Sequence, residues 1–390
     1  MLKPVAGFAA FGLFWGAWGA VLPAIRTGAG VNDGELGVAL LMIGLGALVT
    51  MRFTGYLIDR YGGVVLPVVM ALFGLCGVLP ALADSAVSLS AVLLLLGATS
   101  GATDVAVNAA GSQAEAVTGR PVMNLAHGMF SVAVVVASLG TAGLRAAGVG
   151  ALPVLAGVAA LIVITALAAL APGAKDARTK DTGMAGGAGQ AGRTRARLEP
   201  VLLVLGALCA LAYLVENAWQ SWSAVHLDTS LHAAAGLASI APAVFAAAAA
   251  TGRFAGNALL KRIQPVRLLV IGAAIAAVGS LVAATAGNPW TALAGIGIAG
   301  LGTSVCAPTI IGMAGAWAGP ERRAGAIAVV TTIAYLGFLI GPAAVGALSS
   351  AWSLPAALAS VAVLAVVVAA LAPVAGRLAH ERIRPTPKGM

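Results

Sequence analysis

Twelve apolar runs of roughly 20 residues, parted by polar gaps, make up almost the whole chain, and about 20 residues is what one helix needs to cross the hydrocarbon core of a bilayer. Inside lipid each backbone amide must be bonded within its own segment, so helices are the economical form for such runs. The expected spans are 5–25, 36–58, 64–83, 88–113, 122–144, 150–171, 201–225, 233–258, 266–286, 290–317, 324–349 and 353–375. They predict an all-α membrane protein: twelve transmembrane helices in two pseudo-symmetric six-helix bundles. A cleaved leader competes for the first run, because Lys3 precedes it. That run is longer than a signal core and shows no small-residue cleavage site before Arg26, so it is read as a retained span.

Composition removes whole classes of function. Of 390 residues, 60% are hydrophobic and only 9% charged, which leaves no room for a separate soluble domain. The net charge of +9 is scattered through short gaps without a continuous basic patch, so nucleic acid is not an expected partner. Orientation by positive charge explains it better. With the even-numbered gaps and both tails on the cytoplasmic side, all but Arg26 and Arg145 of the 22 Lys and Arg residues fall there. The expected location is a bacterial cytoplasmic (inner) membrane, multi-pass, with both termini cytoplasmic. Cys76, Cys209 and Cys306 lie inside apolar runs, without spacing for a disulfide framework or metal.

Residues 172–199 form the one long gap, rich in Gly and charge, and predict a flexible cytoplasmic linker. It divides an N-terminal bundle, 1–171, from a C-terminal bundle, 200–375, followed by a basic cytoplasmic tail, 376–390. The two parts repeat. Arg52-Phe53-Thr54-Gly55 closes the second span and Arg253-Phe254-Ala255-Gly256 closes the eighth, 201 residues later. Parallel six-helix repeats of this kind are a transporter architecture.

With these residues assembled, the chain resembles the major facilitator superfamily. Gly55-Tyr56-Leu57-Ile58-Asp59-Arg60-Tyr61-Gly62-Gly63 is similar to that family's signature loop between helices 2 and 3, although Val64 and Val65 stand where a basic residue is usual. The resemblance implies that Gly55, Asp59, Arg60 and Gly62 serve a loop that latches the two halves on the cytoplasmic side. Asp104-Val105-Ala106-Val107-Asn108 in the fourth span, and Asn124-Leu125-Ala126-His127-Gly128-Met129-Phe130-Ser131 opening the fifth, resemble the fucose-permease-like branch. Glu216, Trp222 and Ser223 fit the same group. In that branch an acid of the fourth span is tied to proton coupling. Exporters of the superfamily carry a Gly-Pro motif in the fifth span, which here has no proline.

Several polar groups within the spans are candidate working residues. Asp104 and Glu216 are the acids well inside the hydrocarbon zone, where an ionised carboxylate costs about 2.5–3.5 kcal/mol on insertion scales. Such a group faces a cavity or a partner. Burial also disfavours the charged form of carboxyl groups in general, the condition for taking up and releasing a proton near neutral pH. Asn108 lies one turn beyond Asp104, and Ser112 and Glu115 continue that face. Two readings of Asp104 stay open, proton coupling and a permanently protonated interhelical hydrogen-bond link.

Glu216, Asn217 and Gln220 make a second polar group, with Trp219, Trp222 and His226 on an adjacent face. Polar donors beside indoles suit a polyhydroxylated or cationic ligand. An aromatic belt at the interface competes for Trp222 and His226. Trp15 and Trp18 are ligand-platform candidates within an aromatic stripe, Phe8, Phe11, Trp15 and Trp18, that equally suits packing. His127 and Ser131, one turn apart, are a candidate proton relay or a packing pair. Thr331 and Tyr335, one turn apart in the eleventh span, are candidate cavity residues. Gly337, Gly341, Pro342 and Gly346 there predict close packing that can rock. Arg52 and Arg253, with Gly256, predict a matched role in the cytoplasmic gate, each arginine snorkelling toward headgroups.

No Gly-Lys-Ser/Thr phosphate loop occurs, so ATP is not the expected direct energy source, and the four dispersed histidines offer no metal site. The expectation is a non-enzymatic secondary transporter. It would act as a monomer, without a cofactor, moving a small polar solute (a sugar or related metabolite) with protons, in contact with membrane lipid. Proton-driven export of a drug or metabolite is the rival within the class. A non-transporting sensor or scaffold is the rival outside it.

Overall fold

The computed structural model describes residues 2–120, 122–170 and 199–381, and every regular element among them is helical. The predicted linker, apart from Glu199, lies outside the described residues, as do 382–390 of the tail. The helices are α1 (Leu2–Gly28), α2 (Asp33–Tyr61), α3 (Val65–Cys76), α4 (Ala86–Thr118), α5 (Val122–Ala146), α6 (Ala151–Leu170), α7 (Pro200–Val225), α8 (Ala235–Leu259), α9 (Pro265–Ala284), α10 (Pro289–Thr303), α11 (Cys306–Ala351) and α12 (Leu354–Glu381).

Among the described residues eleven stretches are long and apolar enough to cross a bilayer, and one of them, Asp33–Leu82, has 50 residues. A straight helix of that length would run about 75 Å, more than twice the hydrocarbon thickness of about 30 Å. It is two spans. Gly62 ends α2 at φ 64°, with its N–H on the Ile58 carbonyl, and a 3-10 turn, Gly62–Val64, leads into α3. Glycine takes that left-handed φ without a Cβ penalty, which gives the signature loop a local reason for this residue. A similar break at Gly319 (φ 72°) interrupts α11, so that Pro289–Gly319 and Gly325–Ala351 are separate spans.

Helix starts are set by side-chain caps. Asn32 accepts from the Glu35 amide while Glu35 reaches back to the Asn32 amide. Ser85 and Ser88 repeat the device at α4, and Asn288 caps α10. Each cap satisfies amides that have no intrahelical partner.

The chain divides into two compact units: α1–α6 with Ala224–Ala243, and the remainder of the second half. The boundary drawn at residues 172–199 therefore needs one correction. The segment joining α7 to α8 packs with the first unit, because Ser239 donates to the Ala20 carbonyl (2.8 Å) and accepts at its own carbonyl from Ser138. Gly236 permits the approach, since a Cβ there would meet the Ala142 carbonyl and Ala146.

Within the first unit α2 packs on α4, α1 on α5, and α3 on α4 and α6. Glycines set how close these pairs come. A Cβ at Gly97 of α4 would collide with the Ile43 backbone, and one at Gly46 of α2 with the Leu94 carbonyl. Gly12 and Gly16 of α1 lie against the Phe130 and Val134 carbonyls of α5. In the second unit α9 packs on α10 and α12. Gly337 of α11 comes close against the Ala210 carbonyl of α7. Outward-facing Val49, Ile164 and Val278 are exposed, as lipid-facing side chains are.

Candidate functional site

The first unit carries Asp104 on α4. Its neighbours follow from helix periodicity. Asn108, one turn on, donates its amide to both the Asp104 carbonyl (2.8 Å) and the Asp104 carboxylate (3.1 Å). His127 lies on α5, a helix that packs against α4. Among the described residues Asp104 makes no salt bridge with Lys or Arg. Asp104 and Asn108 are half-buried, and His127 is exposed with its ring 4.6 Å from that of Phe8. Asp104 and Asn108, both named from the sequence, are thus joined by a hydrogen bond.

Other residues of that neighbourhood are committed elsewhere. Ser131 donates to the His127 carbonyl, an internal helix contact. Glu115 departs from the polar stripe: its carboxylate accepts the Met123 amide (2.9 Å) at the start of α5. That is an acid satisfying a helix N-terminus, a role the α4 periodicity alone does not show. Trp15 and Trp18 belong to an aromatic cluster. Trp18 is nearly fully buried and stacks on Phe14, while Trp15 meets Phe11 and Phe14 edge-on.

The second unit carries Glu216 on α7, and here the structure gives Arg253 a partner that depth along its own helix does not show. Arg253 directs its Nη2 to Glu216 Oε1 at 2.8 Å. Gln220, one turn along α7, donates to the same oxygen (3.1 Å). The physical reason is the price of an unpaired buried carboxylate: Glu216 is almost fully enclosed, and a cation one helix away removes that penalty. The repeated Arg52 has no such partner. It is exposed and makes no ion pair among the described residues, and α1 offers no acid corresponding to Glu216. Gly256 also differs from Gly55: a Cβ at Gly256 would strike Val305, whereas one at Gly55 meets nothing within 4 Å. The repeat keeps the scaffold and changes the chemistry.

Asn217 donates to the Phe338 carbonyl and accepts from Ser221 (3.2 Å), so it ties α7 to α11. Thr331 donates to carbonyls of its own helix, and Tyr335 stands beside Phe338 with ring centroids 5.8 Å apart. Trp222 and His226 are both wholly buried, which rules out the interfacial belt considered for them. Trp219 is also wholly buried and its indole N–H donates to Ser280 Oγ at 2.8 Å, a packing contact between α7 and α9. Trp219→Phe should cost about 1 kcal/mol of stability, the worth of one such bond, seen as a small fall in thermal midpoint with solute binding retained.

The signature-loop residues Asp59 and Arg60 are exposed. Arg60 lies over the Tyr61 ring, 5.6 Å from its centroid. A further charged group was not singled out from the sequence. Arg26 pairs with Asp33 at 2.8 Å, while Arg145 and Asp228 line a small cleft with Ser239 and Pro23. The signal was there: Arg26 and Arg145 are the two cations that the charge asymmetry leaves on the sparse side, and each stands near an acid.

Comparison with known proteins accords with this architecture. A family model described as Major Facilitator Superfamily matches residues 207–389. An uncharacterised MFS-type transporter of Yersinia pestis is 31% identical over 365 residues, covering 93% of this chain and 92% of that one. A bacterial homologue of the human lysosomal transporter Spinster, solved inward-facing and occupied, aligns with a TM-score of 0.81 at 17% identity, over 99% of this chain and 98% of that one. The fucose:proton symporter of E. coli aligns at 0.58 and 17% identity, over 96% and 98%. These two structural likenesses are of fold.

Proposed function

We propose, from the premise that this chain belongs to the major facilitator superfamily of membrane transporters, that it carries a small polar solute inward by proton symport. Two six-helix halves would open a mid-membrane site to each side in turn. The observation that carries the coupling is Asp104: an acid inside a span, half-buried, held by Asn108 and lacking a Lys or Arg partner among the described residues. Such a carboxyl group is free to exchange a proton as its surroundings change from dry to wet. Glu216, bonded by Arg253 and Gln220, suits the solute site more than proton traffic, and His127 on the neighbouring α5 would serve as the proton relay to Asp104. The reading puts the monomeric protein in the bacterial inner membrane with cytoplasmic termini, working without a cofactor.

The test is uptake into proteoliposomes. A thermal-shift panel of sugars, sugar acids and other small metabolites selects the solute. An acid-outside pH jump should then drive its accumulation, and a protonophore should abolish it. Accumulation that ignores the pH gradient would remove proton symport. Accumulation in everted vesicles energised acid-inside would establish export in its place.

A further inference from the structure

We infer that Arg253 is the docking point for an anionic group of the transported solute, a carboxylate or a similar planar oxyanion, and that Glu216 occupies this point as an internal stand-in when no solute is bound. The inference rests on the transport reading above and adds the solute's charge to it.

Three observations on the second unit carry it. First, the Arg253 side chain is 48% exposed, whereas its partner Glu216 is 9% exposed. Second, one nitrogen of Arg253 is engaged: Nη2 bonds Glu216, and among the described residues no other acceptor meets the remaining N–H groups. A guanidinium presents five donors in a fixed fork that matches a carboxylate two-to-two, so most of its capacity faces outward. Third, Gln220 beside it is also exposed, and both residues lie within spans, Pro200–Ser230 and Ala235–Leu259. Hydrocarbon offers no acceptors for such groups, and a water-filled cleft or a solute would supply them. Glu216 holds Arg253 by a single oxygen, with Gln220 on that same oxygen. An incoming carboxylate could use both free N–H directions at once and compete on better geometry.

The comparison inside the chain points the same way. Arg52, the repeat counterpart, makes no ion pair among the described residues and α1 carries no acid, so the Glu216–Arg253 pair is not a demand of the repeated scaffold.

The experiment compares matched acid and neutral solutes, gluconate and glucuronate against glucose, with lactate as a small carboxylate, on purified full-length protein. Wild type should be stabilised thermally by at least one carboxylate and not by glucose. Arg253→Lys keeps the charge but loses the fork, and should weaken that binding about tenfold. Glu216→Gln removes the internal competitor and should tighten it several-fold. Because Arg253→Gln alone strands a buried acid, the neutral pair Glu216→Gln/Arg253→Gln is used to keep the fold, and it should lose carboxylate binding altogether. The inference falls if no carboxylate stabilises wild type, or if the double variant binds as wild type does. pH-driven uptake of a neutral sugar by wild type and the double variant alike would overturn it while leaving the transport reading intact. Absence of gradient-driven uptake of any solute would sink the transport reading itself.

Discussion

Asp104→Asn is expected to abolish uphill accumulation of solute in proteoliposomes while leaving counterflow exchange close to the wild-type rate. The substitution keeps the shape of the side chain and its capacity to bond Asn108, so the α4 packing around Gly101 and Val107 is preserved. What it removes is the titratable proton. If Asp104 is the coupling group, the carrier still reorients with solute bound but no longer ties that step to proton movement. A pH jump would then produce no accumulation above equilibrium. Exchange of labelled for unlabelled solute needs no net proton transfer and should persist. Retained accumulation would assign Asp104 to the helix-linking role that the sequence left open. Loss of both activities in a stably folded variant would make it a solute ligand.

Gly97→Val is expected to eliminate most of the folded protein. Membrane helices are not pressed together by a hydrophobic force against lipid, so close backbone packing supplies much of their association. The α2–α4 contact is built from Gly46, Gly97 and Gly101, each facing backbone or Cα of the other helix. It is fastened by the Thr50 hydroxyl on the Ala98 carbonyl at 2.6 Å. A valine at 97 would drive its Cβ into the Ile43 carbonyl, and backbone cannot rotate away as a side chain can. Overpacking where side chains yield costs roughly 1–3 kcal/mol. The upper end of that range or beyond is expected here, read as loss of monodisperse protein on size exclusion and a lowered thermal midpoint. Gly55→Ala is the matching control. Its Cβ meets nothing within 4 Å, and it should keep the wild-type thermal midpoint and monodispersity.

Much of the candidate site is legible in the sequence as unusual polar residues, and the reason is the solvent. A carboxyl group placed in a lipid-length apolar run stands out whatever its neighbours, which is how Asp104 and Glu216 were found. Their near partners on the same helix, Asn108 and Gln220, follow from a periodicity of 3.6 residues. Partners on other helices did not follow. Arg253 was expected to reach for headgroups because depth along its own helix was the only available measure. The side chain goes to Glu216, across a helix pair whose register no single run encodes. Glu115 was read as part of a polar stripe and instead satisfies the start of α5. Trp222 looked interfacial by its place near the end of a run and is wholly enclosed.

The sequence by itself determined the all-helical membrane fold, the approximate number of crossings and the presence of rare intramembrane charge. Each of these is enforced locally, by the length of a bilayer crossing and the cost of polar groups in hydrocarbon. Only the tertiary structure decided which charge meets which, which glycine bears on a neighbouring backbone, and that Ala224–Ala243 packs with the first unit. Those outcomes depend on rotations and offsets between helices, set by contacts far apart in the chain, and identical repeats such as Arg52 and Arg253 diverge there because their surroundings do.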